Sequence, residues 1–221
     1  MNILYFFKLA SKFFYFLCFL VLFIIIQIPT LAESFWPNES VHDFSFIGHL
    51  ILLLVSSAIS FGLVFYLYQK VNGSAILKKP ATFKNVGLAI LLAGLSQVGQ
   101  SFFSIWSDDS AANSDLTWVL RSSLSPILLV TLILVSPILE EILFQGILQG
   151  GILKGLSPII QITLTAVVFA FMHGYSFSFG TLELVCSGIA YASVYYVTKD
   201  LKMAILCHSF SNIIVTILVF I

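Results

Sequence analysis

Two adjacent glutamates, Glu140 and Glu141, stand in the middle of an apolar stretch of the chain. Residues 124–139 before them and residues 142–153 after them contain no charged side chain. A charge at membrane depth costs about 2.5–3.5 kcal/mol on insertion scales, so two together predict a functional site. On a helix the two side chains point about 100° apart and therefore face different surroundings. The alternative interpretation is that both glutamates cap a helix end or lie in an aqueous vestibule, with no part in chemistry.

Three further polar side chains interrupt apolar stretches nearer the C-terminus: His173, His208 and Asn212. His208 and Asn212 are four residues apart, so they share one helix face and lie about 6 Å apart along the axis. A single buried histidine is more often a core residue than a catalyst. Polar groups on three separate helices, however, indicate a site built inside a helix bundle.

These residue types allow two kinds of hydrolytic chemistry. A carboxylate and an imidazole can hold a water molecule, remove its proton and return that proton to a leaving amine. His208 and Asn212 supply donors that could stabilise an oxyanion. The same set, with His173 and His208 as ligands, could instead hold a divalent metal such as zinc, whose bound water would attack. The residue spacing does not decide between the two, and the sequence has no His-Glu-x-x-His, Gly-x-Ser-x-Gly or glycine-rich phosphate motif.

The composition is that of a membrane protein. Of the 221 residues, 59% are hydrophobic and only 9% are charged. This predicts an all-α bundle of transmembrane helices, because backbone polar groups in lipid must be paired within the protein. The formal net charge of zero indicates no nucleic-acid partner. The three cysteines lie in apolar runs and are expected to be small core residues.

Hydropathy predicts seven spans, at residues 13–28, 46–68, 86–106, 124–148, 158–173, 181–197 and 203–221. The loops then place every lysine on one side of the membrane and Arg121 alone on the other, which predicts the N-terminus inside and the C-terminus outside. The first span resembles a signal peptide, but its length favours a retained helix. We therefore expect two parts: three N-terminal transmembrane helices in residues 1–124, and a catalytic helix bundle in residues 125–221.

The predicted helix boundaries place the candidate site residues at different depths in the membrane, a conflict of depth for a shared site. Glu140 and His208 fall in the inner halves of their helices, whereas His173 falls at the outer end of the fifth span. At about 1.5 Å per residue, that separation is too large for a shared water molecule. Either the fifth helix starts deeper, tilts or breaks, or the fourth helix runs on to about Lys154.

Three motifs in the C-terminal part have the residue types, order and spacing of those in the CPBP family: Glu140-Glu141-x-x-x-Gln145, Phe169-x-x-x-His173 and His208-x-x-x-Asn212. That family comprises the type II CAAX prenyl endopeptidases and the bacteriocin-processing or Abi-type membrane proteins, and includes enzymes described as intramembrane metalloproteases. The resemblance covers roughly residues 125–221. It implies a multi-helix membrane fold with a site for peptide-bond hydrolysis inside the bundle.

The resemblance also implies a role for each polar group. Glu140 would be the base that activates water, assisted by His173, and Glu141 would belong to the same site. His208 and Asn212 would complete it as oxyanion donors or metal ligands, in either a metal-free or a zinc-dependent mechanism. We therefore expect an integral protein of a bacterial plasma (inner) membrane that hydrolyses a membrane-associated peptide or protein, of CAAX type or related to bacteriocins.

One departure from the family pattern is Gln145, which stands where the first motif usually ends in Arg. An Arg would lie one turn from Glu141 and could pair with it. With Gln, Glu141 must take a weaker hydrogen bond, find another partner or be protonated. The departure favours a second hypothesis, a catalytically weakened relative that binds a membrane partner, for instance in bacteriocin immunity.

A third hypothesis belongs to another class of protein. Glu140, Glu141 and His173 could form the proton relay of a small proton-coupled transporter. The lack of an internal sequence repeat and the clustering of polar groups in the last four helices favour the peptidase instead.

Overall fold

The computed structural model describes residues 3–31, 43–72, 80–107, 120–174 and 177–220. Within these ranges the protein consists of seven long helices joined by turns: α1 (Ile3–Thr30), α2 (Asp43–Asn72), α3 (Phe83–Ser104), α4 (Ser125–Ile152), α5 (Pro158–Gly174), α6 (Phe179–Thr198) and α7 (Leu201–Phe220). The all-α prediction is therefore confirmed for the described part of the chain.

Five of these helices are long and apolar enough to cross a membrane, namely α1, α2, α3, α4 and α7. Helix α5 is apolar but has 17 residues, which at ~1.5 Å per residue reach about 25 Å, less than the ~30 Å of a hydrocarbon core. Helix α6 is less apolar because it carries Glu183 and many small or hydroxyl-bearing side chains. Five of the seven predicted spans thus have the length and hydropathy of a membrane crossing, which supports an integral membrane protein. The inside and outside assignment stays a prediction.

Helix α4 is irregular in a way that the sequence pattern did not indicate. It alternates between α-helical stretches, Ser125–Val130 and Ser136–Glu141, and π-helical stretches, Thr131–Val135 and Ile142–Ile152. It also runs to Ile152, whereas hydropathy predicted that the helix ends near residue 148. π-helical turns are rare and frequently lie at functional sites. The two glutamates of the first motif end the second α-helical stretch, directly before the longer π-helical one.

Phe144 is the packing centre where α1, α4 and α5 meet. Its side chain is fully buried. Its ring lies 5.5 Å from that of Phe19 and 6.2 Å from that of Phe23, both on α1, and 5.1 Å from that of Phe169 on α5. These edge-to-face contacts pack α1 against the rest of the bundle. That the first helix is retained stays a prediction.

Helices α5 and α6 approach each other closely at Gly188. A Cβ atom added to this glycine would lie 2.8 Å from the Cα atom of Ala166, which is nearer than real Cβ contacts. Small residues at such a crossing let two helix backbones pack directly in a membrane. Helix α3 packs against α6 and α7 in the same bundle, so the division at residues 124 and 125 stays a prediction.

The close crossing of α5 and α6 gives a first testable prediction. Gly188→Ala should lower the thermal stability of the purified protein in detergent, because the new methyl group meets backbone; overpacking of this kind costs about 1–3 kcal/mol. Gly94→Ala is the matched control, since a Cβ atom there has no neighbour within 4 Å. That control should leave stability unchanged or raise it, because Ala is the better helix former. Equal melting temperatures for the two variants would contradict the predicted close packing.

Candidate active site

The extended α4 brings Glu140 to the level of His173. From Glu140 to the end of α4 at Ile152 is 12 residues, and from Pro158 at the start of α5 to His173 is 15. Both residues therefore lie several turns away from the connection that joins the two helices. Glu140 Oε2 and His173 Nε2 accordingly lie 3.2 Å apart. The conflict of depth is resolved by the alternative in which the fourth helix runs on.

The Glu140–His173 pair is held in place by one hydrogen bond at each end. Nδ1 of His173 lies 2.7 Å from the carbonyl oxygen of Phe169; because a carbonyl only accepts, this nitrogen carries a proton. The contact of Nε2 with Glu140 must then contain one further proton, shared between the carboxylate and the imidazole. The hydroxyl of Ser136 donates to Oε1, the other oxygen of Glu140. The carboxylate is therefore oriented at both oxygens.

Glu141 pairs with the second histidine. Its Oε1 atom lies 2.9 Å from Nδ1 of His208, and the two side chains are 0% and 6% exposed. The ring of Tyr191 on α6 stacks on the His208 ring, with centroids 4.4 Å apart and an interplanar angle of 14°. The sequence left three possibilities for Glu141: a weaker hydrogen bond, another partner or protonation. The structure shows another partner, His208.

Gln145 lies close enough to Glu141 to interact with it, but the two side chains form no hydrogen bond of normal geometry. Its side chain is 0% exposed, yet neither atom of its amide has a hydrogen-bond partner among the described residues, and the same holds for Oε2 of Glu141. A buried amide without a partner costs about 1–3 kcal/mol. The structure therefore tolerates an unpaired polar side chain at the position where this chain departs from the family pattern.

Asn212 lies on the same face of α7 as His208, as the spacing predicted. Its Nδ2 atom donates to the carbonyl oxygen of Leu132, at 2.8 Å, in the first π-helical stretch of α4. One N–H of the amide is thus engaged, and the second N–H and the carbonyl oxygen have no hydrogen-bond partner among the described residues. The roles of His208 and Asn212 as oxyanion donors stay predictions.

The predicted metal ligands, His173 and His208, each contact a different carboxylate. Across the described residues, no group of three His, Cys, Asp or Glu side chains is arranged to hold a metal ion. As they stand, these side chains do not fit a zinc centre with three protein ligands, the usual number in catalytic zinc sites. Zinc binding stays a prediction, and the mechanism proposed below has no step that uses it.

Glu140, His173, His208 and Asn212 surround one cavity of about 190 Å³ between the helices. Four of the five predicted site residues line it, and Glu141 is buried behind His208. The lining comes from five helices: Gln100; Leu132, Ser136 and Glu140; Phe169 and His173; Leu184, Ser187 and Tyr191; His208, Ser211, Asn212 and Val215.

Sequence reasoning missed five of the polar lining residues, namely Gln100, Ser136, Ser187, Tyr191 and Ser211. Two of them left a local signal: Ser136 lies four residues before Glu140, and Ser211 lies three residues after His208, which places each on the same helix face as a predicted site residue.

The fold and the site together define a protein of long apolar helices, with two carboxylate–histidine pairs at a cavity between the helices. Residues 122–214 match the family model described as type II CAAX prenyl endopeptidase Rce1-like. The resemblance inferred from the three motifs is thereby confirmed over this part of the chain, which contains all five predicted site residues. Comparison with the curated proteins and with the solved structures gives no match.

The burial of Gln145 gives a prediction about the departure from the family pattern. Gln145→Arg should lower thermal stability, because a guanidinium would have to be desolvated at a fully buried position where Oε2 of Glu141 is the one carboxylate oxygen without a described partner, too little to offset that cost. Gln145→Met is the matched control of similar length. It removes the amide that has no partner among the described residues, so it should be neutral or stabilising. Higher thermal stability for Gln145→Arg, or a clear gain in peptide cleavage at unchanged expression, would show this expectation to be wrong.

Proposed function

We propose that this protein is an intramembrane endopeptidase that hydrolyses a peptide bond with a water molecule activated by Glu140 and His173. The observation that carries the proposal is the direct contact of Glu140 Oε2 with His173 Nε2, 3.2 Å apart, in a cavity inside the Rce1-like segment. A carboxylate and an imidazole that share a proton beside a buried cavity are suited to accept one proton and deliver another.

The proposed reaction begins with Glu140 as the carboxylate and His173 as the imidazolium. Glu140 takes a proton from water, and the water oxygen attacks the carbonyl carbon of the substrate, so that the carbonyl electron pair moves to its oxygen. When this oxyanion collapses, the C–N bond breaks and His173 gives its Nε2 proton to the leaving nitrogen. Glu140 then passes its new proton to His173, which restores the starting state. The products are a carboxylic acid and an amine, and the acid then gives its proton to the amine or to solvent.

His208 and Asn212 are assigned to the oxyanion in this proposal. Glu141 contacts Nδ1 of His208 and the ring of Tyr191 stacks on its face, so the orientation of the imidazole is controlled from two directions. Asn212 keeps one N–H beyond the bond to Leu132. Preorganised donors in a site that excludes water stabilise developing charge strongly, because they need no reorganisation during the reaction.

The substrate in this proposal is a membrane-associated peptide or protein. The name of the matched family refers to CAAX prenyl peptides, which carry a lipid on a cysteine near the C-terminus. Five long apolar helices support action within a membrane, which we assign to a bacterial plasma (inner) membrane. Two probes separate the substrate classes: a quenched fluorogenic peptide that ends in a prenylated CAAX sequence, and the same peptide without the prenyl group.

A second candidate function has one observation in its favour. Gln145 stands in place of the family Arg and has no hydrogen-bond partner among the residues described. A chain that has lost this pairing could serve as a weakened relative that binds a membrane partner. The cleavage assay separates the candidates, because only an active enzyme turns over either probe.

The general-base assignment predicts a large loss of turnover for Glu140→Gln. This change keeps size and hydrogen bonding but removes the proton acceptor, so kcat should fall by at least ~100-fold with little change in protein level. Glu183→Gln is the matched control, since it makes the same change on α6 at a residue that does not line the cavity, and it should retain activity. Proteolysis by Glu140→Gln at nearly the wild-type rate would end the assignment.

The shared face of α7 predicts non-additive effects for His208 and Asn212. If both serve one oxyanion or one metal, the His208→Ala, Asn212→Ala double variant should be about as impaired as the worse single variant. Multiplicative losses would instead indicate separate functions. Zinc analysis of the same preparations distinguishes the oxyanion role from the metal-ligand role. Stoichiometric metal that is lost in His208→Ala supports ligation, and active protein without metal excludes it.

A further inference from the structure

Helix α3 presents a polar face to α6 and α7, although it lies outside the segment that matches the family. Nε2 of Gln97 donates to the hydroxyl of Ser211 on α7. One turn further along, Nε2 of Gln100 donates to the hydroxyl of Ser187 on α6, at 2.9 Å. The two glutamines thus make the same kind of bond between helices.

Close packing of α3 on α6 brings Gln100 to Ser187. Gly99 lies directly before Gln100, and a Cβ atom added there would be 3.0 Å from Sγ of Cys186, the residue directly before Ser187. A larger side chain at position 99 would press against that sulfur. The backbones are therefore close at the level where the two polar side chains meet.

The two glutamines differ in what they face. Gln100 and Ser187 line the cavity that also contains Glu140 and His173, whereas Gln97 does not line it. Gln97 is 9% exposed, and although its partner Ser211 lines the cavity, Gln97 itself does not. Of the two glutamine amides, only that of Gln100 is therefore accessible to a molecule in the cavity.

A peptide in this cavity needs polar partners for its backbone, because an N–H or C=O group without a partner in an apolar environment is strongly disfavoured. A cavity of about 190 Å³ has room for only a short extended segment. The second N–H of the Gln100 amide and its carbonyl oxygen have no partner among the described residues. They offer one donor and one acceptor, the same pair of groups that a peptide bond presents.

We propose that Gln100, held by Ser187, is a binding subsite for the backbone of the substrate next to the bond that is cleaved. The carboxamide receives a backbone N–H on its oxygen and donates to a backbone C=O, as a neighbouring strand would. The subsite recognises an extended peptide independently of its side chains or lipid. This inference rests on the proposed peptidase function, and it makes a helix outside the matched segment part of the substrate site.

The test compares Gln100→Met with Gln97→Met, using the two fluorogenic peptides and the full-length protein in detergent. Both variants keep the length of the side chain and lose one bond between helices. Gln100→Met should raise KM about 10-fold for both peptides, with kcat within about 2-fold of the wild type, as expected for the loss of uniform binding. Gln97→Met should leave KM unchanged. Melting temperatures of the two variants should fall by similar amounts.

A second measurement separates binding from catalysis. In the Glu140→Gln background, the affinity for the unprenylated peptide should fall by the same ~10-fold when Gln100→Met is added, and should not change with Gln97→Met. If the wild type cleaves the peptides, two results would contradict the subsite but not the proposed peptidase function. One is an unchanged KM in Gln100→Met, and the other is an equal rise in KM in both variants. If the wild type cleaves neither peptide, the proposed function fails and the subsite fails with it.

Discussion

The burial of two adjacent carboxylates in an apolar bundle is the constraint on which the rest of the structure depends. A buried carboxylate without a partner is very costly, so each one needs its own polar surroundings. Because neighbouring positions on a helix point in different directions, the surroundings come from different helices. Glu140 is paired with His173 of α5, and Glu141 with His208 of α7. One helix thereby determines where two others must lie.

The π-helical stretches of α4 receive polar side chains from the helices around them. Nδ2 of Asn212 on α7 donates to the carbonyl oxygen of Leu132, and Nδ2 of Asn72 on α2 donates to that of Gly146. The first of these carbonyls lies in one π-helical stretch and the second in the other. Side-chain donors of this kind stabilise irregular backbone inside a membrane protein, where water is absent. Asn212 therefore links the geometry of α4 to the cavity.

The helices outside the matched segment are part of the same structure. Phe19 of α1 packs on Phe144 beside the glutamates, and Gln100 of α3 reaches the cavity wall. The segment from residue 122 to residue 214 contains both carboxylate–histidine pairs, while α3 contributes Gln100 to the wall of the cavity. The cavity is therefore built by helices from both parts of the chain.

The sequence by itself determined the helices and the polar groups on them. Apolar runs of helical length located all seven helices, and spacings of four residues put His208 with Asn212 on one face, because such patterns are local. Only the tertiary structure decided how the helices are shifted against one another. The extension of α4 to Ile152, the choice of His208 as the partner of Glu141 and the place of Gln100 in the cavity depend on how side chains of different helices pack. Those contacts join residues far apart in the chain, so no local pattern encodes them.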